Sequence, residues 1–156
     1  RHKDKTVHCD SKQKKFGRWY FHREKQANIR FSFKGLDLTF GWEGEKNMEV
    51  WGGILVRCIR DEKGVFYNGP SVTVTTLLNA AKVEKVMDLG EKKESISKGP
   101  LKLVKLEKEK NTIYHGKRIG LKPEKYDEKW IEAKYRFRTH KNEDKKTKNK
   151  SELSEV

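Results

Sequence analysis

Hydrophobic and polar residues alternate most regularly in LDLTF, Leu36–Phe40, which is bracketed by Gly35 and Gly41. Alternation with a period of two places successive side chains on opposite faces of a β-strand. Consecutive aromatic residues in Phe16–Arg23 predict an earlier strand, because they fit a pleated surface better than a helix. The apolar run Ile54–Asp61 predicts a third strand with an arginine in its middle.

One segment carries the signals of a helix. Gly69 and Pro70 end the preceding strand, and Ser71 is a residue type that caps the amino terminus of helices. The leucines and alanines at positions 77–81 favour helix. The sequence therefore predicts a helix over Ser71–Met87.

The carboxy-terminal third of the chain shows shorter patterns. Apolar and charged residues alternate in part over 101–107 and predict a strand, and a helical turn is expected over 123–130. Basic and aromatic residues alternate over Lys134–His140, which predicts a final strand with Tyr135 and Phe137 on one face. The basic residues expected on its other face are Lys134, Arg136 and Arg138.

Together these elements predict an α+β fold: a single domain with a curved, mostly antiparallel sheet and one substantial helix. The chain has 156 residues, of which 33% are hydrophobic and 38% charged, and its mean hydropathy is −1.01. Such polarity indicates solvated ends. We expect a basic amino-terminal arm at 1–15, the domain at 16–140 and a disordered polar tail at 141–156.

The net charge of +14 is concentrated in two blocks. Residues 1–34 carry 11 Lys and Arg against 3 Asp and Glu, and residues 98–138 carry 13 against 6. Two basic blocks around a near-neutral centre are typical of a protein that binds phosphate groups of a nucleic acid. A lysine-rich surface that serves only solubility is the alternative.

The aromatic residues near the first strand are candidates for base stacking. In a strand, Tyr20 and His22 share one face while Trp19 and Phe21 share the other. A ring beside a histidine at a wet edge can stack on an unpaired base, and Tyr20 or Phe31 would do so. The alternative is that Trp19 and Phe21 belong to the core and His22 is a surface residue.

Other classes of site lack a pattern. Cys9 and Cys58 have no metal-ligand spacing, so we expect no metal and no cofactor. No apolar run is long enough for a membrane span, and no phosphate-loop motif is present. We expect a monomer inside the cell, in the nucleus if the source is eukaryotic. A general base could be among the carboxylates Asp10, Glu24, Asp37 and Glu43, which have no defined pair spacing.

The order of these landmarks resembles a known family. A His-Arg pair at 22–23 is followed by FSFKGLDLTFG, GGILVRCIRD, GPSVTVTTLL and a final RIGL, W and KYRFR. This order is similar to the alkyladenine (3-methyladenine) DNA glycosylase family, in which a Lys-Gly strand, an arginine-bearing strand and a Gly-Pro-Ser turn before a helix follow one another. The resemblance runs from Val7 to His140.

The resemblance implies an enzyme that extrudes a damaged purine from DNA and hydrolyses its bond to the sugar with an activated water. It places Asp10 at the position of the catalytic glutamate, His22 at the histidine of the His-Ser-Arg loop and Arg57 at the strand arginine. Asp10 is one methylene shorter than glutamate, and Lys12 stands where the family has a tyrosine. An arginine such as Arg57 in a central strand needs an anionic partner, unless an edge strand exposes it.

Phosphate contacts are expected from both basic blocks. The candidate residues are Lys12, Lys14, Lys15, Arg18, Arg23, Arg30, Lys34, Lys134, Arg136 and Arg138. A non-catalytic module that binds DNA or RNA is a second hypothesis, because the catalytic glutamate is absent. A protein-interaction domain with solubilising basic ends is a third, and its binding would be nearly independent of salt.

Overall fold

A computed structural model of the protein describes residues 4–44, 49–105, 107, 111–140 and 154–155. Most of the predicted tail, 141–156, lies outside these residues, as does part of the predicted arm, 1–15. The chain divides into two compact units, one of residues 7–105 and one of residues 1–6 together with 106–156. The single domain expected over 16–140 stays a prediction.

Five short strands follow one another in the first half of the larger unit. They are β1 (Trp19–His22), β2 (Gly35–Thr39), β3 (Trp42–Glu43), β4 (Glu49–Val50) and β5 (Gly53–Leu55). β1, β2 and β5 form an antiparallel sheet with β2 in its centre, in which Tyr20 lies opposite Asp37. β3 and β4 form a separate antiparallel pair. The strands predicted at Phe16–Arg23 and Leu36–Phe40 are thus present, the first with only 4 residues and the second with 5 residues, shifted by one toward the amino terminus.

The single strand predicted over Ile54–Asp61 is wrong, because the chain passes from one sheet to another there. β5 ends at Leu55, and β6 (Cys58–Arg60) pairs with β7 (Phe66–Asn68). The Val56 amide still donates to the sheet at Leu36 O (2.8 Å), whereas the Arg57 carbonyl accepts from Gly69 N (2.7 Å). The hydrogen bonds therefore change partner between these two residues.

The one substantial helix, α1, runs over Pro70–Ala80, so the predicted end at Met87 is wrong. Lys82 has a left-handed backbone with φ of 57°, which an α-helix does not accommodate. Beyond it the chain hydrogen-bonds to an earlier loop, with Val86 N donating to Ala27 O (2.9 Å) and Glu84 O accepting from Ile29 N (2.9 Å). These tertiary bonds replace the helical ones, and Val86–Leu89 forms a 3₁₀ turn.

The core of the larger unit lies between β1, β2 and α1. It contains Trp19, Phe21, Ala27, Leu36, Val74, Leu78 and Val86. Trp19 and Phe21 are therefore core residues, as the second interpretation of the aromatic run proposed. Because they occupy the inner face of β1, Tyr20 and His22 project from its other face.

The segment 101–105, predicted as the start of a strand, has no strand. Its backbone bonds to other parts of the chain instead of to a neighbouring strand: Leu101 O accepts from Trp19 Nε1 (3.0 Å), and Leu103 N donates to Ile96 O (2.8 Å). Since alternation over these few residues was only partial, it did not determine their backbone.

The smaller unit has a three-stranded antiparallel sheet and a short helix. Its elements are β8 (Tyr114–Gly116), α2 (Glu128–Glu132), β9 (Arg136–Arg138) and β10 (Ser154–Glu155), with β8 in the centre. Tyr135 and Phe137, expected on one face of the last strand, are 46% and 61% exposed, whereas Arg136 on the other face is 6% exposed. The long aliphatic part of arginine can be buried in this way.

Arg118 fixes the described amino-terminal residues of this unit. Its Nη1 donates to Asp4 Oδ2 (2.6 Å) and Thr6 Oγ1 (2.7 Å), and its Nη2 donates to Trp130 O (2.9 Å). Burial acts to raise the pKa of Asp4, but hydrogen bonds from the Thr6 amide and from Arg118 outweigh it, so this pKa is lowered. Arg118 therefore joins the described amino-terminal residues to the carboxy-terminal segment of this unit.

The fold as a whole confirms the α+β class, the antiparallel pairing of strands and the one substantial helix. Within the described residues, no helix is both long enough and apolar enough to cross a membrane.

The helix provides a test of the core. Leu78 is 1% exposed and Val72, on the same helix, is 46% exposed. We expect Leu78→Ala to lower the free energy of unfolding by about 2–5 kcal/mol, since it leaves a cavity. Val72→Ala should change it by less than about 0.5 kcal/mol. Urea unfolding followed by circular dichroism measures both, and equal losses would contradict this position of the core.

Candidate functional site

Five polar side chains meet on the outer face of β1, and we call them the polar cluster: Asp10, Gln13, Tyr20, His22 and Asp37. Tyr20 and His22 come from β1, and Asp37 comes from β2 directly opposite Tyr20. Asp10 and Gln13 come from the 3₁₀ turn Ser11–Lys14 and the residue before it. Three elements therefore place two carboxylates, a phenol and an imidazole within one small region.

Asp37 is the buried centre of the polar cluster, with 4% of its surface exposed. Its Oδ1 lies 2.8 Å from His22 Nε2, and its Oδ2 accepts a hydrogen bond from Gln13 Nε2 (3.2 Å). A β-carbon on Gly53 would lie 2.7 Å from Asp37 Oδ2. Glycine on β5 therefore leaves the space that this carboxylate occupies.

Asp10 caps the 3₁₀ turn that carries Gln13. Its Oδ1 accepts from Lys12 N (2.9 Å), and its own amide donates to Gln13 Oε1 (3.2 Å), which makes a capping box. Its Oδ2 accepts from the Tyr20 hydroxyl (3.3 Å). Because each carboxylate oxygen has two acceptor positions, both oxygens retain capacity for one further donor.

Tyr20 is held in its protonated form. Burial, followed by the negative charge of Asp10, its hydrogen bond and the charge of Asp37, raises the pKa of Tyr20 to about 12. The hydroxyl is therefore a donor to Asp10 throughout the physiological pH range.

His22 is enclosed by rings as well as by Asp37. Its ring centroid lies 4.7 Å from that of Tyr20 and 4.9 Å from that of His8, whose ring is nearly perpendicular to it. His22 and Tyr20 were expected from the sequence, but their neighbours His8 and Gln13 were not. Neither has a local signal, because both lie just before β1 and reach it only when the chain folds back at the turn Ser11–Lys14.

Of the three residues expected to be catalytic, two lie near each other and the third lies in another segment. Asp10 and His22 come together through Tyr20, which bonds to the first and packs on the second. Arg57 lies half-buried in the link between β5 and β6. Arg57 is therefore neither in a continuous central strand nor on an edge strand, which were the two positions expected from the sequence.

Three of the lysines expected to contact phosphate are already engaged within the protein. Lys12 Nζ bonds to Glu24 and Glu94, each at 2.6 Å, and these carboxylates raise the pKa of Lys12 against the opposing effect of its burial. Lys14 pairs with Glu49 and lies over the Trp51 ring. Both lysines are therefore paired within the protein, and their contact with phosphate stays a prediction.

Lys34 is the third, and it is 5% exposed. Its Nζ donates to the carbonyl oxygens of Ile29 and Phe31 and to Ser71 Oγ. Burial lowers the pKa of Lys34. A buried ammonium with these acceptors holds the loop in place, and its contact with phosphate stays a prediction.

The other basic candidates differ in their exposure. Lys15, Arg18, Arg23, Arg30 and Lys134 are exposed, Arg138 is half-buried and Arg136 is buried. Lys134 Nζ donates to Ser154 Oγ (3.3 Å). Of the candidates in the larger unit, one lysine and three arginines are thus exposed, whereas Arg136 in the smaller unit is buried and its contact with phosphate stays a prediction.

The two aromatic candidates for base stacking lie in different surroundings. Tyr20 is half-buried within the polar cluster, and Phe31 is half-buried beside Phe33, with ring centroids 6.2 Å apart. Arg23 extends over both phenylalanine rings. Tyr20 is therefore surrounded by polar, ionisable groups, whereas Phe31 lies next to an aromatic ring and a cation.

Comparison with known proteins gives this α+β chain a viral relative. No family model matches the chain, and no solved structure matches it. It is 33% identical over 165 residues to "Uncharacterized protein L759" of Acanthamoeba polyphaga mimivirus, covering 94% of this chain and 74% of that protein. The chain therefore belongs to the same family as this mimivirus protein.

The environment of Tyr20 can be tested by titration. The tyrosinate absorbance that Tyr20→Phe removes should have a midpoint near pH 12, with burial as the main cause. Asp10→Asn should lower that midpoint without restoring the ordinary value of about 10, since it removes one charge and leaves the burial. A midpoint that Asp10→Asn leaves unchanged would contradict the contact.

The same shift affects stability at high pH. The folded protein keeps the Tyr20 proton at a pH at which the unfolded chain has lost it. The stabilising contribution of Tyr20 to the free energy of unfolding is therefore complete below about pH 10 and is lost as the pH rises toward 12. Tyr20→Phe should therefore flatten this part of the stability profile relative to wild type.

Proposed function

We propose that this protein binds DNA and hydrolyses the N-glycosidic bond of a damaged purine that has been flipped out of the duplex. The polar cluster would be its active site, and the protein would act as a monomer inside the cell, in the nucleus if its source is eukaryotic. The observation that carries the proposal is that Asp10 and His22, which the resemblance selects as catalytic residues, meet through Tyr20.

The carboxylate of Asp10 would activate water. Water donates a proton to Asp10 as its oxygen forms a bond to C1′ of the sugar, while the bond from C1′ to the purine nitrogen breaks. The electron pair of that bond leaves with the purine, which takes up a proton from solvent, while Asp10 returns the proton of the attacking water to solvent. The products are the free base and an abasic sugar. Acid–base catalysis of this kind contributes about 10²–10⁴-fold.

The remaining members of the polar cluster would position the reacting groups. Tyr20 donates to Asp10, so its hydroxyl supplies a phenol beside this carboxylate even though Lys12 stands where the family has a tyrosine. Asp37 fixes the ring of His22 through Nε2, which orients the imidazole. His22 and Tyr20 could then flank a flipped base, and Arg57 would act near the flipped nucleotide.

Phosphate binding would depend on the exposed cations of the larger unit. Among them, the candidates expected from the sequence are Lys15, Arg18, Arg23 and Arg30. They would hold the DNA backbone without reading its sequence, and Lys134 and Arg138 would add contacts from the smaller unit. Binding of this type falls steeply as salt increases.

A second candidate is a non-catalytic module for nucleic acid, DNA or RNA. The observation that favours it is the capping box, in which Asp10 already bonds to Lys12 N and the side chain of Gln13 accepts from Asp10 N. Asp10 then has a sufficient structural role without catalysis. Such a module would bind nucleic acid with the same salt dependence and release no base.

Asp10→Asn separates the two candidates. Asparagine caps helices as well as aspartate does, so this change removes the charge and keeps the turn. We expect single-turnover release of ethenoadenine or hypoxanthine from a duplex to fall about 10²–10⁴-fold. Asp61→Asn is the matched control, because Asp61 also accepts from two backbone amides and from a tyrosine hydroxyl, that of Tyr67.

Two results would count against catalysis by Asp10. Release that persists in Asp10→Asn would place the base on another carboxylate, with Glu24 the next to test. If wild-type protein binds the duplex in a salt-sensitive way and releases nothing, the non-catalytic module is the correct function.

Paired variants test which cations meet phosphate. Arg30→Gln should reduce the slope of log affinity against log salt by about 0.9 on duplex DNA, the value of one phosphate contact. Lys12→Gln should leave the slope unchanged, because Glu24 and Glu94 already neutralise Lys12. Equal changes in the two variants, measured by fluorescence anisotropy, would contradict this assignment.

A further inference from the structure

Hydrogen bonds hold the loop between β1 and β2 against the rest of the larger unit. Asn28 Oδ1 accepts from the amides of Arg30 (2.9 Å) and Phe31 (3.1 Å). The Ile29 amide donates to Glu84 O (2.9 Å). A surface loop with this many backbone contacts is held in one conformation.

Side chains of helix α1, together with Lys34, add further hydrogen bonds to this loop. Thr75 Oγ1 donates to Ile29 O (3.3 Å), and the buried Lys34 ammonium donates to the carbonyls of Ile29 and Phe31. Ser71 Oγ lies within hydrogen-bond distance of both Lys34 Nζ (3.2 Å) and Phe31 O (3.4 Å). Polar groups thus fix the backbone at Phe31 from the inner side, and its side chain is directed away from them.

Two phenylalanines and an arginine meet on the outer side of this fixed loop. Phe33 is 70% exposed and packs edge-on against Phe31 at 6.2 Å. Arg23 Cζ lies 5.6 Å from the Phe33 centroid and 6.0 Å from that of Phe31. Its backbone is left-handed, with φ of 54°, and its carbonyl accepts from the amides of Gln26 and Ala27, both at 2.9 Å.

We propose that Arg23, Phe31 and Phe33 form a stacking platform for an unpaired nucleobase, at a subsite outside the polar cluster. The inference rests on the proposed binding of nucleic acid and adds a contact to a single-stranded nucleotide. Arginine and aromatic rings together present flat surfaces and a positive charge, which suit the face of a base and the phosphate next to it.

Charge selects this occupant over an apolar partner. Arg23 and Arg30 are exposed, and with the described residues neither forms an ion pair. The nearby carboxylate of Glu24 is already paired with Lys12 (2.6 Å) and Lys93 (3.0 Å). The platform therefore keeps an uncompensated positive charge beside an exposed ring, and an anionic ligand with a planar apolar group complements both.

The test compares two labelled strands of equal length, one of single-stranded DNA and one of abasic sugar-phosphate, by fluorescence anisotropy with the full chain at low salt. Wild type should prefer the strand with bases. Phe33→Ala should weaken binding to that strand about 5- to 100-fold, the range for one stacked base. Its binding to the abasic strand should change less than about 2-fold.

Three variants sharpen the comparison. Phe33→Tyr should keep the affinity, since tyrosine stacks equally well. Phe137→Ala removes a similarly exposed phenylalanine of the smaller unit and should leave the preference for bases unchanged. Arg23→Lys keeps the charge and loses the planar group, so it should weaken binding to the strand with bases only.

The outcomes separate this inference from the proposed function. One contrary result is that Phe33→Ala lowers the affinity for both labelled nucleic-acid strands equally, and another is that it lowers the affinity for neither. If wild type still binds duplex DNA and releases a damaged base, either result refutes the platform alone. If wild type binds neither strand nor duplex, both proposals fail. If polyglutamate of equal charge competes as well as the strand and depends equally on Phe33, the occupant is an acidic polypeptide and the platform for bases is refuted.

Discussion

The bonds of the buried Asp37 carboxylate are the constraint on which the rest of the larger unit depends. A carboxylate inside a protein is costly unless donors surround it, and here His22 and Gln13 supply them. Gln13 is itself buried, and its carbonyl accepts from the Gly52 amide (3.1 Å). A β-carbon on Gly41 would lie 1.8 Å from the Gln13 carbonyl oxygen. Residues next to the sheet strands therefore pack closely against this glutamine. The position of Asp10, which shares a capping box with Gln13, follows from the same bonds.

The basic charge of the chain is a second constraint, and its effect differs from what composition indicates. Lys12 and Lys14 neutralise carboxylates inside the larger unit, and Lys34 holds a loop. A net charge counts these groups equally with Arg30, which projects into solvent. Electrostatic attraction of a polyanion depends on the summed field, but direct phosphate contacts need side chains without internal partners. The net charge of +14 already subtracts the carboxylates that Lys12 and Lys14 neutralise, so burial and pairing, not this sum, determine which cations can reach a polyanion.

Local pattern predicted the elements whose hydrogen bonds are local and failed where tertiary bonds took over. Alternation located β2 and the Gly-Pro-Ser signal located the start of α1, because both depend on a few consecutive residues. The end of α1 depends on bonds from 84–86 to Ala27 and Ile29, which no window of sequence contains. Alternation likewise assigned residues to the two faces of the last strand but did not indicate which face is buried, and Arg136 has enough aliphatic length to be the buried residue. In the candidate site, Asp10 and His22 came from a resemblance, whereas Gln13 and His8 required the fold.

The polar cluster also shows that a local motif does not decide the chemistry of a carboxylate. Asp10 and Asp61 make nearly the same contacts, since each caps a turn and each accepts from a tyrosine hydroxyl. Asp61 begins a turn whose residues 62–65 are all exposed, so water screens its charge. Asp10 lies beside a half-buried phenol and a histidine that is fixed by a second, buried carboxylate. Any reactivity of Asp10 must therefore come from these neighbours, which the sheet supplies, and the capping bonds serve only to hold the carboxylate in their reach.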